Sequence, residues 1–257
     1  MRFAFLLFFA TSALLALIST PAYEEAGMQV FENPSDPANS AVYFALILAF
    51  TAFILLAAKF KKILAAVMYF LTFLSVFYVL IPFFGALSLI AAVAIVLMLL
   101  KKPHWIVTDV SAILLAAGIS AIFGVSLEPL PAMLLLTALA VYDLVAVYRT
   151  RHMIRLAESV SEFSVPVLFV VPSKDKKAYM GVGDVVIPCI LAASAQRFSS
   201  TPEVFGFKVS ALATVFCSLL ALAALLILIE KRGGAHPGLP FVNSGAIIGF
   251  LLAEHAF

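Results

Sequence analysis

The run Ile63-Leu-Ala-Ala-Val-Met-Tyr-Phe-Leu-Thr-Phe-Leu-Ser-Val-Phe-Tyr-Val-Leu-Ile-Pro82-Phe-Phe-Gly85-Ala-Leu-Ser-Leu-Ile-Ala-Ala-Val-Ala-Ile-Val-Leu-Met-Leu-Leu100 carries no charge from end to end. A membrane helix needs about 17–25 apolar residues, and one helix of this whole run would be about 57 Å long, nearly twice the hydrocarbon thickness. It is therefore read as two spans folded into a hairpin, with Pro82 and Gly85 marking the place to fold.

Outward from that hairpin, further apolar runs complete nine spans, at roughly 3–19, 41–58, 63–82, 84–100, 106–125, 130–148, 180–197, 208–229 and 239–253. The expected fold is an all-α polytopic membrane protein with nine transmembrane helices. Composition agrees: with 64% hydrophobic and 12% charged residues over 257 positions, there is too little polar surface to cover a water-soluble globule. The first run also has the look of a signal peptide, with Arg2, an apolar core and small residues near Thr20-Pro21-Ala22. Its core is long enough to span, so it is read as a retained helix.

Basic residues orient the spans. One side collects Arg2, Lys59, Lys61, Lys62, Lys101, Lys102, Arg149, Arg151, Arg155, Lys174, Lys176, Lys177, Lys231 and Arg232, leaving Arg197 and Lys208, two of the 16, on the other. The first outer loop holds Glu24, Glu25, Glu32 and Asp36 without a basic residue. The N-terminus is thus expected in the cytoplasm and the C-terminus outside. A net charge of +2 gives no reason to expect nucleic acid as a partner. Cys189 and Cys217 lie in apolar runs without metal-ligand spacing and read as packing residues.

Of the 14 acidic residues, twelve fall in loops or at span ends, Asp109 suiting a helix start and Glu230 a helix end. Only Asp143 and Asp184 lie within spans, in Ala140-Val-Tyr142-Asp143-Leu-Val-Ala-Val147 and Gly181-Val182-Gly183-Asp184-Val-Val-Ile-Pro188. An ionisable group in lipid-like surroundings is costly, which makes each a functional candidate. Asp143 precedes Arg149 by six residues and Asp184 follows Lys177 by seven. Helical geometry would put both roughly 9–11 Å inside the cytoplasmic edge.

Two carboxyls at one site cannot both ionise and hold one proton between them. One can then draw a proton from water while the other hydrogen-bonds a scissile carbonyl, with no metal or cofactor required. Gly181 and Gly183 are expected to allow close backbone approach. Pro188 cannot donate to the carbonyl of Asp184, so the helix should start or loosen at the acid. Near the C-terminus, Gly233-Gly-Ala-His236-Pro237-Gly238-Leu239-Pro240 forms an irregular approach to the last span at the same level. His236 beside it reads as a solvated interfacial residue.

These stretches resemble a known family. Tyr142-Asp143 is similar to the YD motif of presenilins, Gly181-Val182-Gly183-Asp184 to the family's GxGD motif, and Pro237-Gly238-Leu239-Pro240 to its PAL(P) motif, on the sixth, seventh and ninth spans. Val185-Val186-Ile187-Pro188 looks more like the signal peptide peptidase branch, and the cytoplasmic N-terminus like the presenilin branch. Compact size suggests an archaeal homologue. One departure is Gly238, where the family has Ala; it leaves the ordering of that loop in question.

The resemblance implies an intramembrane aspartyl protease with Asp143 and Asp184 as its catalytic pair. Tyr142, Gly181, Val182, Gly183, Pro237, Gly238, Leu239 and Pro240 would shape the site or hold substrate. It divides the chain into a scaffold, 1–125, and a catalytic half, 126–257, with a cytoplasmic connection at 149–179. The expected partners are transmembrane protein or peptide substrates and the lipid bilayer, without obligatory accessory subunits, and self-association stays open. The expected location is a microbial cell membrane, as a multi-pass protein. Within the connection, the apolar β-type run Val165–Pro172 is a candidate for holding opened substrate as an added strand, or else an interfacial loop. Two other classes stay open on the residues: a prepilin-type GxGD peptidase and a proton-coupled transporter or channel. The lack of further intramembrane charge or an evident inverted repeat disfavours the transporter.

Overall fold

The structure, a computed structural model, describes residues 4–57, 60–101, 104–150, 166–172, 177–232 and 236–257. Arg2, Lys59, Lys102, Arg151, Arg155, Lys174, Lys176, Val165 and 233–235 lie outside the described residues, as does most of the connection at 149–179.

The described helices are α1 (Ala4–Glu25), α2 (Ala38–Ala57), α3 (Lys61–Phe84), α4 (Ser88–Lys101), α5 (Trp105–Ser126), α6 (Pro129–Val145), α7 (Gly183–Phe198), α8 (Val209–Arg232) and α9 (Leu239–Ala256). Two short antiparallel pairs join them, β1 (Leu168–Pro172) with β2 (Lys177–Gly181), and β3 (Glu203–Val204) with β4 (Phe207–Lys208). Seven described segments are long and apolar enough to cross a membrane, with 62–101 counted as one and the 16-residue α7 too short to qualify.

The uncharged run does fold back on itself. Helix α3 passes through Pro82 and ends at Phe84; Gly85, at φ +51°, makes the break and a 3-10 turn over Gly85–Leu87 leads into α4. Val76, Val79 and Leu80 of α3 then pack with Ala92 of α4. Gly85, rather than Pro82, makes the turn, because its backbone occupies the left-handed region that a side chain disfavours.

Helix α5 sits centrally, packed against α1, α3, α7 and β1. Its buried face is mostly small, including Ala112, Ala116, Ala117, Gly118, Ser120 and Ala121, so neighbouring backbones come close. Helix α1 buries the stripe Phe5, Phe9, Ala13, Ala16 and Thr20, spaced three or four residues apart as one helical face. Helices α8 and α9 meet through Gly245 and Gly249. A Cβ at Gly249 would lie 2.4 Å from the Ala213 carbonyl oxygen, and one at Gly245 2.6 Å from that of Cys217. Cys189 and Cys217 are both free thiols. At the end of the bundle away from β1 and β2, Arg197 pairs with Glu24 at 3.1 Å and Lys208 with Glu203 at 3.0 Å.

Two sequence expectations change. The seventh apolar run begins as strand, not helix: Lys177–Gly181 pairs with Leu168–Pro172, and α7 starts only at Gly183. A helical rise therefore does not apply between Lys177 and Asp184, since a strand advances about 3.3 Å per residue rather than 1.5 Å. Nor is Asp109 an ordinary helix-start acid. It lies near the start of α5 but is buried, and Val170 N–H of β1 donates to its Oδ1 at 2.8 Å.

Candidate active site

Asp143 ends the buried face of α6, 5% exposed, two residues before the helix gives way to a π-helical turn at Ala146–Thr150. Asp184 lies in the first turn of α7, half-buried. They meet through the start of α9. The backbone N–H of Leu239 donates to Asp143 Oδ2 at 3.2 Å, with Gly238 immediately before it. This is one of the N–H groups that a helix leaves without internal partners at its N-terminus, and it suits an acidic side chain.

Gly238 also packs on the other acid. A Cβ built there would lie 2.9 Å from Oδ1, 3.0 Å from Cγ and 3.2 Å from Oδ2 of Asp184. The start of α9 thus has an N–H on one carboxyl, at Leu239, and a side-chain-free position against the other, at Gly238. The departure from the family's Ala thus falls where an added methyl group would press on Asp184.

The residues before Asp184 act differently from the sequence expectation. Neither Gly181 nor Gly183 has a positive φ. A Cβ at Gly181 would make ordinary contact with Asp184 Oδ2 at 3.4 Å, and one at Gly183 would meet nothing within 4 Å. Their value is not tight approach: Gly183 opens onto a second cavity of about 340 Å³, and Gly181 sits against the Asp184 carboxyl. Val182 is buried, its N–H bonded to Val167 C=O at 3.1 Å, and its carbonyl receives Val185 and Val186 N–H at the start of α7. That bond locks the end of the strand pair to the beginning of the helix.

The ladder's polarity follows from the same bond. Since 167 and 182 form a hydrogen-bonded pair, alternation along an antiparallel ladder makes 169 with 180 and 171 with 178 hydrogen-bonded too. The backbone groups of Tyr179 and Gly181 then point outward from β2, toward Asp184. Those of Val170 point outward from β1, toward Asp109.

Tyr179, Met180, Gly181, Asp184 and Gly238 line a cavity of about 150 Å³, closed on other sides by Phe5 of α1, Leu222 and Leu226 of α8 and Val242 of α9. Pro237 and Leu239 are buried beside it, and Pro240 sits in the first turn of α9. His236 lines the same cavity while remaining partly exposed, with its Nδ1 3.3 Å from the Tyr148 hydroxyl. Tyr142 turns away. Its ring meets Phe44 edge-on at 6.3 Å and its hydroxyl bonds Thr51, both on α2.

Two supporting residues carry no motif. Asn243, 1% exposed, donates from Nδ2 to Leu136 C=O at 2.8 Å, tying α9 to α6 one turn beyond Leu239. The other is Asp109. An amide inside an apolar span was the signal for the first, whereas nothing local distinguishes Asp109 from a helix-start acid.

Fold and site together define a polytopic membrane protein in which two carboxyls flank the start of α9, one of them lining a cavity of about 150 Å³ beside a strand edge. Residues 6–257 match the family described as signal-peptide peptidase, presenilin aspartyl protease, and the chain belongs to that family. Two structures of a presenilin family intramembrane aspartate protease, in C222 and P2 crystal forms, are similar throughout. The first has TM-score 0.79 at 32% identity, covering 100% of this chain and 99% of that one; the second has 0.76 at 33%, covering 98% and 96%. A probable intramembrane protease of Schizosaccharomyces pombe is 31% identical over 111 residues, a match covering 42% of this chain and 36% of that relative. The chain is an integral, multi-pass membrane protein.

Proposed function

We propose that the chain is an intramembrane aspartic endopeptidase that hydrolyses peptide bonds in the transmembrane segments of other proteins, using Asp143 and Asp184 and no metal or cofactor. The observation that carries this reading is the start of α9, where Leu239 N–H donates to Asp143 and Gly238 packs against the carboxyl of Asp184. Two acids held across that helix start can share a single proton. The ionised member takes a proton from water as the oxygen attacks the scissile carbonyl carbon, while the protonated member donates to the carbonyl oxygen. Collapse of the resulting diol breaks the C–N bond, and the departing amine receives a proton.

A helix must open before its peptide bond can be reached, and the opened segment needs backbone partners. The outer edge of β2 supplies them at Tyr179 and Gly181. The substrate strand is thus assigned to 177–181 rather than to 165–171, whose outer edge is occupied at Val170. Pro237, Gly238, Leu239 and Pro240 form the wall on the far side of the pair, with Gly181, Val182 and Gly183 fixing the turn into α7.

The topology that goes with this reading has nine spans, with α3 and α4 crossing separately and the short α7 crossing as the seventh. The N-terminus is cytoplasmic and the C-terminus outside. The pairing of Arg197 with Glu24 supports it, since both belong to the outer side in that arrangement. Residues 1–125 form the scaffold and 126–257 the catalytic half, although Phe5 on the cavity wall gives α1 a share in the site. Substrates are single-pass proteins or peptides in a microbial cell membrane, and accessory subunits are not required.

The test is cleavage of a single-pass reporter in detergent by purified wild type, Asp143→Asn and Asp184→Asn. Each variant is expected to lose at least about a hundredfold in kcat. A folded variant with near wild-type turnover would remove its aspartate from the pair, and Asp-dependent ion flux by an inert wild type would favour a transporter.

A further inference from the structure

We propose that Asp109 is a positioning residue, which holds the β1–β2 ladder in register with Asp184 and confines strand addition to the outer edge of β2. This rests on the protease reading above for its functional meaning, though not for its geometry. Asp109 is 3% exposed, and its Oδ1 accepts the outward N–H of Val170 at 2.8 Å. Its Oδ2 is buried with no hydrogen-bond partner among the described residues. A buried carboxyl with one oxygen unsatisfied is expensive, and a neutral side chain would fill the space at lower cost. The bond to Val170 is what Asp109 provides in return.

The placement of Asp109 gives that bond a consequence. Strand β1 has two edges: one is paired to β2, and the other is taken at Val170 by Asp109. An unpaired strand edge is a template for a further strand. With Asp109 in place, a strand arriving at β1 meets a carboxylate where it needs an acceptor carbonyl and finds the Val170 donor already occupied. The edge left open is that of β2, which ends beside Asp184.

The same helix also holds the acid's own helix. Ser120, eleven residues along α5 from Asp109, shares its one hydroxyl proton between Ala116 C=O of its own helix at 2.6 Å and Val186 C=O of α7 at 3.2 Å. Helix α5 therefore fixes the ladder at one point and α7 at another, and the spacing between them is the spacing between the peptide-holding edge and Asp184. Phe169, fully buried and stacked on Phe8 at 5.3 Å, secures β1 against α1, while Asp109 adds a polar restraint on sliding at the outer edge, beside the Val182–Val167 bond at the inner one.

The experiment uses the full purified chain in detergent with three single variants and one double. Asp109→Leu removes the acceptor at similar volume, Asp109→Asn keeps an Oδ1 that accepts, and Val170→Pro removes the donor without breaking a β2 bond. Amide exchange over 168–172 is expected to rise in Asp109→Leu and Val170→Pro and to stay at the wild-type level in Asp109→Asn. On the reporter, the first two should lose about ten- to a hundredfold in kcat and spread cleavage over neighbouring bonds. The double variant should be no worse than either single.

Unchanged exchange over 168–172 in both loss variants would overturn the proposal, as would effects that multiply in the double or an Asp109→Asn as impaired as Asp109→Leu. If Asp109→Leu does not fold, Val170→Pro against Asp109→Asn decides. A wild type that cleaves no reporter counts against the protease reading, while exchange still judges the clamp.

Discussion

Gly238 is the residue on which the site turns, because it packs on Asp184 and directly precedes the N–H that holds Asp143. Replacing it by Ala restores the family's residue but puts a methyl group about 3 Å from the Asp184 carboxyl. The atoms it meets are the end of a side chain, so the carboxyl rotates rather than the backbone moving. Gly238→Ala should therefore keep its thermal unfolding midpoint and lose about tenfold in kcat; unchanged kcat would show that the Asp184 rotamer is not critical. If the pair works with one shared proton, kcat/KM is bell-shaped in pH, failing at low pH when both carboxyls are protonated and at high pH when both are ionised. A monotonic profile between pH 4 and pH 9 would argue against the shared proton. The acids themselves were legible in the sequence because each interrupts an apolar run. The roles of their neighbours were less so: Tyr142 adjoins Asp143 in sequence yet engages α2, and Gly183 adjoins Asp184 yet faces open space where a side chain would go.

Among the elements, the strand pair was the hardest to read. Tyr179-Met180-Gly181 is apolar enough to be counted with the following helix, and period alone does not separate a short buried strand from the end of a span. The outward edge of β2 gives a direct check. Tyr179→Pro removes one outward N–H while leaving every bond to β1 intact, so turnover should fall about tenfold with the fold unchanged. Wild-type turnover in that variant would take the edge out of substrate binding. The α8–α9 contact belongs to this scale as well. Gly249→Val presses a side chain onto the Ala213 carbonyl and should destabilise the protein by about 1–3 kcal/mol. Gly183→Ala, which meets open space, should leave the unfolding midpoint within experimental error. Thermal unfolding of the two in the same detergent separates close packing from mere motif membership.

Over the whole molecule, the helix boundaries were largely legible in the sequence, since an apolar run bounded by charge or proline leaves few choices of length. The uncharged run was read as a hairpin from its length, and it breaks at Gly85. What the sequence could not convey was which helices meet, as in the joining of α1 to α5 and α7 by small residues far apart in the chain. Orientation is open to measurement. Single cysteines placed at Phe205, the exposed tip of the β3–β4 hairpin, and at Tyr148 should label from opposite sides of a sealed vesicle, once Cys189 and Cys217 are replaced. Labelling from the same side would require a different number of crossings between α6 and α8.

The short distance along the chain from Gly181 to Asp184 has one more consequence. The last residue able to grip a guest backbone lies three positions before the acid, with Val182 pinning the turn between them. Such a site acts as a ruler. It selects the bond to be cut by counting from where the guest is gripped, with little regard for the side chains at that bond, so cleavage positions should track where a substrate first unwinds more closely than any consensus sequence.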